Sequence, residues 1–74
     1  MTRLPRPTGA DLIRALGKVG FEVARSKGSH HFLQHADARA TVVPVHSGET
    51  IGPGLMSKIL RDADLTREEL IALL

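Results

Sequence analysis

The stretch Arg25-Ser26-Lys27-Gly28-Ser29-His30-His31, near the middle of the chain, restricts the fold more than any other feature. Large apolar residues that favour strands flank it on both sides, namely Phe21, Val23, Phe32 and Leu33. Two such segments joined by a short turn that contains glycine predict a β-hairpin, with His30 opening its second strand. The remaining segments are therefore interpreted as elements that pack around this hairpin.

Three helices are predicted from their capping residues and their apolar periodicity. The first is capped by Thr8 and ends at Gly20, where a left-handed residue is expected. The second begins at Pro53, a favoured first helical residue, and ends at Asp64. The last begins after Thr66, which has a glutamate three residues later at capping-box spacing.

Three strands complete the predicted order α-β-β-β-α-α. Residues 21–26 alternate in polarity with their two large apolar residues inward, which predicts a half-buried strand. In residues 30–34 each face carries one large apolar residue, so the pattern leaves open which face meets the helices. Residues 40–45 form the third strand, and Pro44 indicates either an edge position or the end of the strand, because proline cannot donate to a ladder. We expect an α+β fold with a three-stranded antiparallel sheet and helices on one face.

Length and composition limit the class of protein. A chain of 74 residues has room for one domain, and we expect an extended arm over residues 1–7 and a single domain over residues 8–74. There is no cysteine, which excludes disulfides and thiolate metal sites. No apolar run approaches the ~18 residues of a membrane span, and the first residues do not resemble a signal peptide. These features predict a cytoplasmic protein without membrane association.

The charge is unevenly distributed along the chain. Residues 1–46 hold seven Arg or Lys against three Asp or Glu, a balance of +4, whereas residues 47–74 hold three against five, a balance of −2. A basic half favours contact with phosphates, although ordinary solubilising charge explains the balance equally well. Phe21 and Phe32 are the only aromatic residues, so a platform that stacks successive bases is not expected. Recognition through the RNA backbone or shape is favoured instead.

The turn itself has the residue types of a phosphate site. Gly28 and Ser29 lack bulky side chains, so a phosphate can approach their backbone closely. An imidazole, with a typical pKa of ~6.5, can move protons at neutral pH. The histidines beside this turn therefore predict a site that cleaves or binds RNA.

A zinc site is disfavoured despite the four histidines. His30 and His31 are neighbours on one strand and must point to opposite faces. His31 and His35 would stand ~13 Å apart on a continuous strand, whereas zinc needs ligands that converge at ~2.0–2.1 Å. No metal and no other cofactor is expected.

Several motifs in the chain resemble the HicA toxin family of small mRNA interferases. They are the turn at residues 25–31, Gly20-Phe21 before the first strand, Val43-Pro44-Val45-His46, and Ile51-Gly52-Pro53-Gly54-Leu55 at the start of the second helix. The resemblance covers about residues 9–65, in order and with matching spacing. Departures are Asp64, where the family usually has glycine, and the added C-terminal helix.

The resemblance implies a fold like that of double-stranded-RNA-binding domains and cleavage of mRNA without a metal. It also implies a protein antitoxin, HicB, that covers the active surface. The family's catalytic histidine falls on His30, and residues that the family often carries at positions 31 and 33 place that face toward the helices. A minority of members carry the histidine one position later, so His31 stays an alternative.

The roles of the site residues follow as hypotheses. His30 would act as general base on the ribose 2′-hydroxyl. Arg25 and Lys27, with the backbone amides of Gly28 and Ser29, would stabilise negative charge on the phosphate. A general acid is not obvious. His46 is a candidate if the third strand brings it near, and water is the other.

Two other functions remain open from the sequence. One is a non-catalytic RNA-binding module that uses the same basic face, and the other is a domain that binds a protein partner and has no affinity for RNA. His35 and His46 are more often loop residues than functional ones.

Overall fold

The computed structural model describes residues 5–74, so residues 1–4 of the predicted arm lie outside the described residues. The elements are α1 (Gly9–Gly17), β1 (Glu22–Lys27), β2 (His30–Gln34), β3 (Ala40–Pro44), α2 (Pro53–Ala63) and α3 (Arg67–Leu73). This order confirms the predicted α+β fold, an α-β-β-β-α unit of the double-stranded-RNA-binding type with one further helix. Each boundary lies close to its predicted position.

Helix α1 begins and ends as its sequence predicts. The Thr8 hydroxyl accepts a hydrogen bond from the Asp11 N–H at 3.1 Å, which satisfies a donor at the start of the helix. At the other end Gly20 has a φ of +101°, and the Phe21 N–H donates to the Leu16 carbonyl at 3.2 Å. This is the Schellman arrangement, in which a left-handed residue lets the chain turn back and satisfy the last carbonyls.

The join between α2 and α3 contains the residue that departs from the family pattern. Asp64 adopts a left-handed conformation, with φ 56° and ψ 46°, and the Leu65 N–H donates to the Leu60 carbonyl at 3.0 Å. The chain therefore makes the turn that a glycine would make, at the steric cost of a Cβ atom. Immediately afterwards Thr66 and Glu69 form both hydrogen bonds of the predicted capping box.

The three strands form one antiparallel sheet in the order β1-β2-β3. The β1–β2 turn has two residues, and Gly28 supplies a φ of +59° at its first position, a pattern typical of hairpin turns. β3 is an edge strand, as Pro44 predicts. α1 and α2 pack against β3.

The core lies between the sheet and the helices. Its buried apolar residues are Leu12, Ala15, Leu16, Phe21, Leu33, Val43, Ile51, Met56, Ile59, Leu60, Ala63 and Leu70. From the sheet only Leu33 and Val43 enter this cluster, so the face of β2 that carries residues 31 and 33 points toward the helices. This confirms the orientation that the family pattern implied.

The prediction of a half-buried first strand is wrong. All six residues of β1 are exposed, including Val23, whose exposed fraction is 45%. The other inward residue of the prediction, Phe21, is buried but precedes the strand. The physical reason is that the helices pack over β3, so β1 lies beyond the helical layer. Alternation in a sequence cannot indicate that a strand lacks a covering element.

The connection between β2 and β3 ties that end of the sheet to the helices. The His35 Nε2–H donates to the Val19 carbonyl at 2.9 Å, and the Asp37 N–H donates to His35 Nδ1 at 3.1 Å. Arg39 contacts the Asp37 carboxylate at 2.8 Å and donates to the Ala63 carbonyl at the end of α2. His35 is thus a structural loop residue, far along the sheet from the turn at Gly28.

Replacing Asp64 with glycine should stabilise the protein. Glycine adopts the left-handed conformation without steric cost, and this gain exceeds the entropy that glycine adds to the unfolded chain. We expect the free energy of unfolding to rise by about 0.5–1 kcal/mol. Asp64→Ala is the control, and it should lower stability because alanine keeps the Cβ and loses the polar side chain. Urea unfolding measures both, and a glycine variant less stable than wild type would contradict the prediction.

Asp62 links β3 to α2 and should make part of the stability depend on pH. Lys58 Nζ lies 2.7 Å from its carboxylate and the buried Thr41 hydroxyl donates to it at 3.0 Å. The Lys58 hydrogen bond, with help from Thr41, lowers the pKa of Asp62 below its ordinary value of 3.8. A lowered pKa contributes stability that is fully present above the ordinary value and is lost as pH falls through the folded-state pKa.

The matched variant for this prediction is Asp62→Asn. Wild type should be more stable than the variant at neutral pH, and the difference should narrow as pH falls from about 4 toward about 2. Urea unfolding at a series of pH values measures it. A difference that stays constant over this range would show that the ionised carboxylate contributes nothing.

Candidate active site

The sheet has one face without helices, which we call the open face. Because Leu33, Thr41 and Val43 are buried on the opposite side, the alternate residues of each strand lie on the open face. Strand register arranges them in three rows, which are Lys27–His30–Pro44, Arg25–Phe32–Val42 and Glu22–Gln34–Ala40. Arg25 lies on this face by alternation with Lys27, and a bulge at Ala24 shifts the preceding residues by one, which brings Glu22 onto it.

His30 lies at the turn end of the open face, and it is exposed. Lys27 is its direct cross-strand neighbour on β1. Directly paired residues have Cβ atoms ~4.5–5.5 Å apart, so the ammonium and the imidazole can reach a single phosphate group. The row combines a proton acceptor with a fixed positive charge.

The turn beside His30 is accessible to solvent at Gly28 and is held by hydrogen bonds at the Ser29 carbonyl. A Cβ added at Gly28 would meet no atom within 4 Å, so the backbone there is accessible. The Ser29 carbonyl accepts two hydrogen bonds, from the Val45 N–H at 2.7 Å and from His31 Nδ1–H at 3.2 Å. The turn is therefore held by Val45 and His31, while its backbone at Gly28 stays accessible.

His31 and His30 occupy different environments. His31 is half-buried on the helix side of β2, where its ring holds the Ser29 carbonyl. His30 stands on the open face with neither ring nitrogen in a hydrogen bond within residues 5–74. Of the two alternatives, His30 has the imidazole that a substrate can reach.

Arg25 lies in the second row, above an aromatic ring. Its guanidinium carbon is 4.5 Å from the centre of the Phe32 ring, a cation–π contact. In the described part of the chain neither Arg25 nor Lys27 forms a salt bridge, whereas Arg14, Arg39 and Lys58 each bind a carboxylate. The charges of Arg25 and Lys27 are thus left for an external anion.

His46 follows the third strand on the turn side of the sheet. Val45 is bonded to Ser29, and His46 is the next residue and is exposed. The third strand therefore brings the backbone of His46 beside the β1–β2 turn, which was the condition for its candidacy as a general acid.

Comparison with protein families decides the identity. The model of the HicA toxin of bacterial toxin–antitoxin systems matches residues 9–65 of the 74-residue chain. The chain belongs to the HicA toxin family. No curated protein matches the chain at a significant level.

Membership in the HicA family gives the chain a toxin role and implies an antitoxin partner. The matched region contains the whole sheet and α2, and so every candidate site residue. α3 lies beyond this region, and its buried Leu70 joins the common core, so the added helix extends the HicA fold without reaching the open face.

Two further observations concern the described part of this HicA chain. Among residues 5–74, no three His, Asp or Glu side chains are grouped so that they could hold a metal ion. Over the same residues, none of the helices has both the length and the apolar character needed to cross a bilayer.

Phe32 and Gln34 are residues of this face that the sequence did not single out. Phe32 stood in the sequence only as a strand former, although a two-residue turn before His30 already places Arg25 across from it. That pairing follows from the two-residue turn, because the ladder is unbroken from Lys27–His30 to Arg25–Phe32 and the bulge lies beyond it.

Proposed function

We propose that this HicA-family protein is a metal-independent endoribonuclease that cleaves mRNA, with His30 as general base. The observation that carries the proposal is the row Lys27–His30 on the open face, in which an exposed imidazole stands directly across from an unpaired cation. Attack on a phosphodiester requires a base and a positive charge that stabilises the phosphate, and this row places the two side by side.

The reaction begins when neutral His30 removes the proton from a ribose 2′-hydroxyl. The 2′-oxygen attacks the adjacent phosphorus, the bond to the 5′-oxygen of the next nucleotide breaks, and that oxygen takes up a proton. The products are a 2′,3′-cyclic phosphate and a 5′-hydroxyl. General base catalysis of this kind contributes about 10²–10⁴-fold to the rate.

Negative charge that grows on the phosphoryl oxygens is stabilised by Lys27 and Arg25. The backbone amides of Gly28 and Ser29 add dipoles at a turn that a phosphate can approach. Charges fixed in advance cost no reorganisation when the transition state forms, which is why such groups are effective. His46 is the residue proposed to protonate the leaving oxygen, and water takes that role if its ring does not reach.

The partner proposed is a HicB-type antitoxin that covers the open face and so blocks access to His30.

An mRNA substrate implies that the protein acts in the cytoplasm. Residues 8–74 act as one domain, with residues 1–7 as its arm. The Pro7 carbonyl accepts a hydrogen bond from the Ile51 N–H at 2.8 Å, so the end of that arm is attached to the domain.

Replacing His30 with alanine should slow cleavage strongly while RNA affinity is retained. The rate should fall by about 10²–10⁴-fold, because only the base is removed and the cations remain. Single-turnover cleavage of a labelled mRNA fragment in excess EDTA measures the rate, and gel-shift titration measures the affinity. Expression of wild type should arrest bacterial growth, and His30→Ala should relieve the arrest.

His31→Ala is the matched control for this experiment. It removes an imidazole one residue away but on the helix side, so it should slow cleavage by less than about tenfold through loosening of the turn. Loss of all activity in His31→Ala with normal activity in His30→Ala would transfer the base to His31. If wild type binds RNA without cleaving it, the protein is a non-catalytic RNA-binding module. If EDTA abolishes cleavage by wild type, the metal-independent mechanism is ruled out.

Lys27 should contribute one phosphate contact, which the salt dependence of binding can count. For single-stranded RNA, log K falls with log salt by about 0.7 per phosphate neutralised. Lys27→Gln should therefore reduce that slope by about 0.7. Lys18→Gln is the control, since Lys18 lies in the helical layer and donates to the Leu73 carbonyl at 2.8 Å. Equal slopes for wild type and Lys27→Gln would mean that Lys27 does not contact the RNA.

A further inference from the structure

We propose that Arg25, Phe32 and Gln34 form a subsite for one unpaired nucleobase beside the phosphate that is cleaved. This inference rests on the proposed function and deepens it, because it gives the enzyme a single-stranded RNA substrate and a point of base contact. The ligand is a purine or pyrimidine ring carried on a ribose phosphate. The three residues belong to two adjacent rows of the open face.

The first argument is the contrast between the two Arg–Phe pairs of the chain. Arg39 lies 5.2 Å from the centre of the Phe21 ring, which is buried, and it is also bound to Asp37 and Ala63. That pair is part of the fold. The Arg25–Phe32 pair is tighter, at 4.5 Å, and stands on the uncovered side of the sheet, where Arg25 is exposed.

The second argument is chemical. A planar guanidinium held over an aromatic ring is a surface on which nucleobases stack, and unpaired RNA bases commonly stack on Arg or on aromatic side chains. Gln34, exposed in the next row, offers an amide donor and an amide acceptor that can meet the polar edge of a base. The cations Arg25 and Lys27 favour a ligand that carries phosphates over an uncharged ring.

The third argument is distance along β2. His30 and Phe32 are two residues apart on one face, which separates their Cα atoms by ~6.6 Å. This is close to the length of one stretched nucleotide. RNA whose phosphate lies between His30 and Lys27 therefore brings a neighbouring base to the second row. Only a base that is free of pairing can turn toward the protein there, so double-stranded RNA is excluded from this subsite.

The number of bases follows from the number of rings. Within residues 5–74, Phe32 is the only Phe, Tyr or Trp ring on the open face, because Phe21 is in the core, and the His30 imidazole is taken up by the proposed proton transfer. A series of stacked bases has no surface to occupy, in agreement with the low aromatic content of the sequence. One base fits the single Arg–Phe pair.

The decisive experiment uses a series of RNA substrates, each lacking one base at a different position. Once the cleavage site of wild type is mapped in a short single-stranded RNA, an abasic nucleotide is placed at each position around the cleaved bond. We expect kcat/KM to fall about tenfold at one position next to the cleaved phosphate and to change little elsewhere. If no position is sensitive, or all are equally sensitive, the subsite does not exist.

Two variants connect that sensitivity to the residues. Phe32→Leu keeps an apolar side chain on the strand, and Arg25→Lys keeps the charge but removes the planar surface. Each should cleave the intact RNA about tenfold more slowly and should show no further loss with the sensitive abasic RNA. Arg14→Lys, on the exposed face of α1, is the matched control and should behave like wild type. Equal losses on intact and abasic RNA in the Arg25 and Phe32 variants would overturn the proposal.

A binding measurement separates this proposal from the proposed function. His30→Ala is mixed with RNA that carries the fluorescent base 2-aminopurine at the sensitive position, or at each position in turn if wild type does not cleave. Stacking should quench the fluorescence, and Phe32→Leu in the same background should restore it. If the RNA is quenched by His30→Ala but is not cleaved by wild type, the nuclease proposal fails and the subsite stands. If wild type cleaves the RNA but His30→Ala does not quench it, only the subsite proposal fails.

Discussion

The burial of Leu33 beneath the helices is the constraint on which the site depends. Side chains along a strand alternate between faces, so a buried Leu33 fixes His31 on the helix side and directs His30 and Phe32 outward. A slip of one residue in the pairing of β2 would exchange the two faces and bury the proposed base. The core therefore does more than stabilise the protein, because it selects which of two adjacent imidazoles lies on the open face.

The β1–β2 turn is held in place mainly through β2 and β3. β1 has no helix over it, and its place follows from pairing with β2 and from the two-residue turn. The Ser29 carbonyl is held by Val45 and His31, which lie on β3's continuation and on β2. The rigid part of the site is thus the β2–β3 side. An exposed β1 leaves the cations it carries accessible to a long, flexible ligand such as RNA.

Features with local causes could be predicted from the sequence, and features with distant causes could not. The caps at Thr8, Gly20 and Thr66 depend on residues within a few positions, and the structure has each of them. The orientation of β2 was ambiguous because each face carries one large apolar residue, and only the family pattern resolved it. The exposure of β1 depends on where the helices pack, and the placement of Glu22 on the open face depends on the bulge at Ala24. No local pattern encodes either feature.

The small net charge of the chain hides the electrostatic character of the open face. Arg14, Arg39 and Lys58 each bind a carboxylate of the same chain, so their fields are largely cancelled at a distance. Arg25 and Lys27 are not cancelled in this way, and their row neighbours are an aromatic ring and an imidazole. The positive potential is therefore local to the open face.

An antitoxin that covers this face must offer acidic groups to Arg25 and Lys27, since burying either cation without a partner would cost more free energy than the contact gains. Under the proposed function, the antitoxin and the RNA would compete for the same two charges.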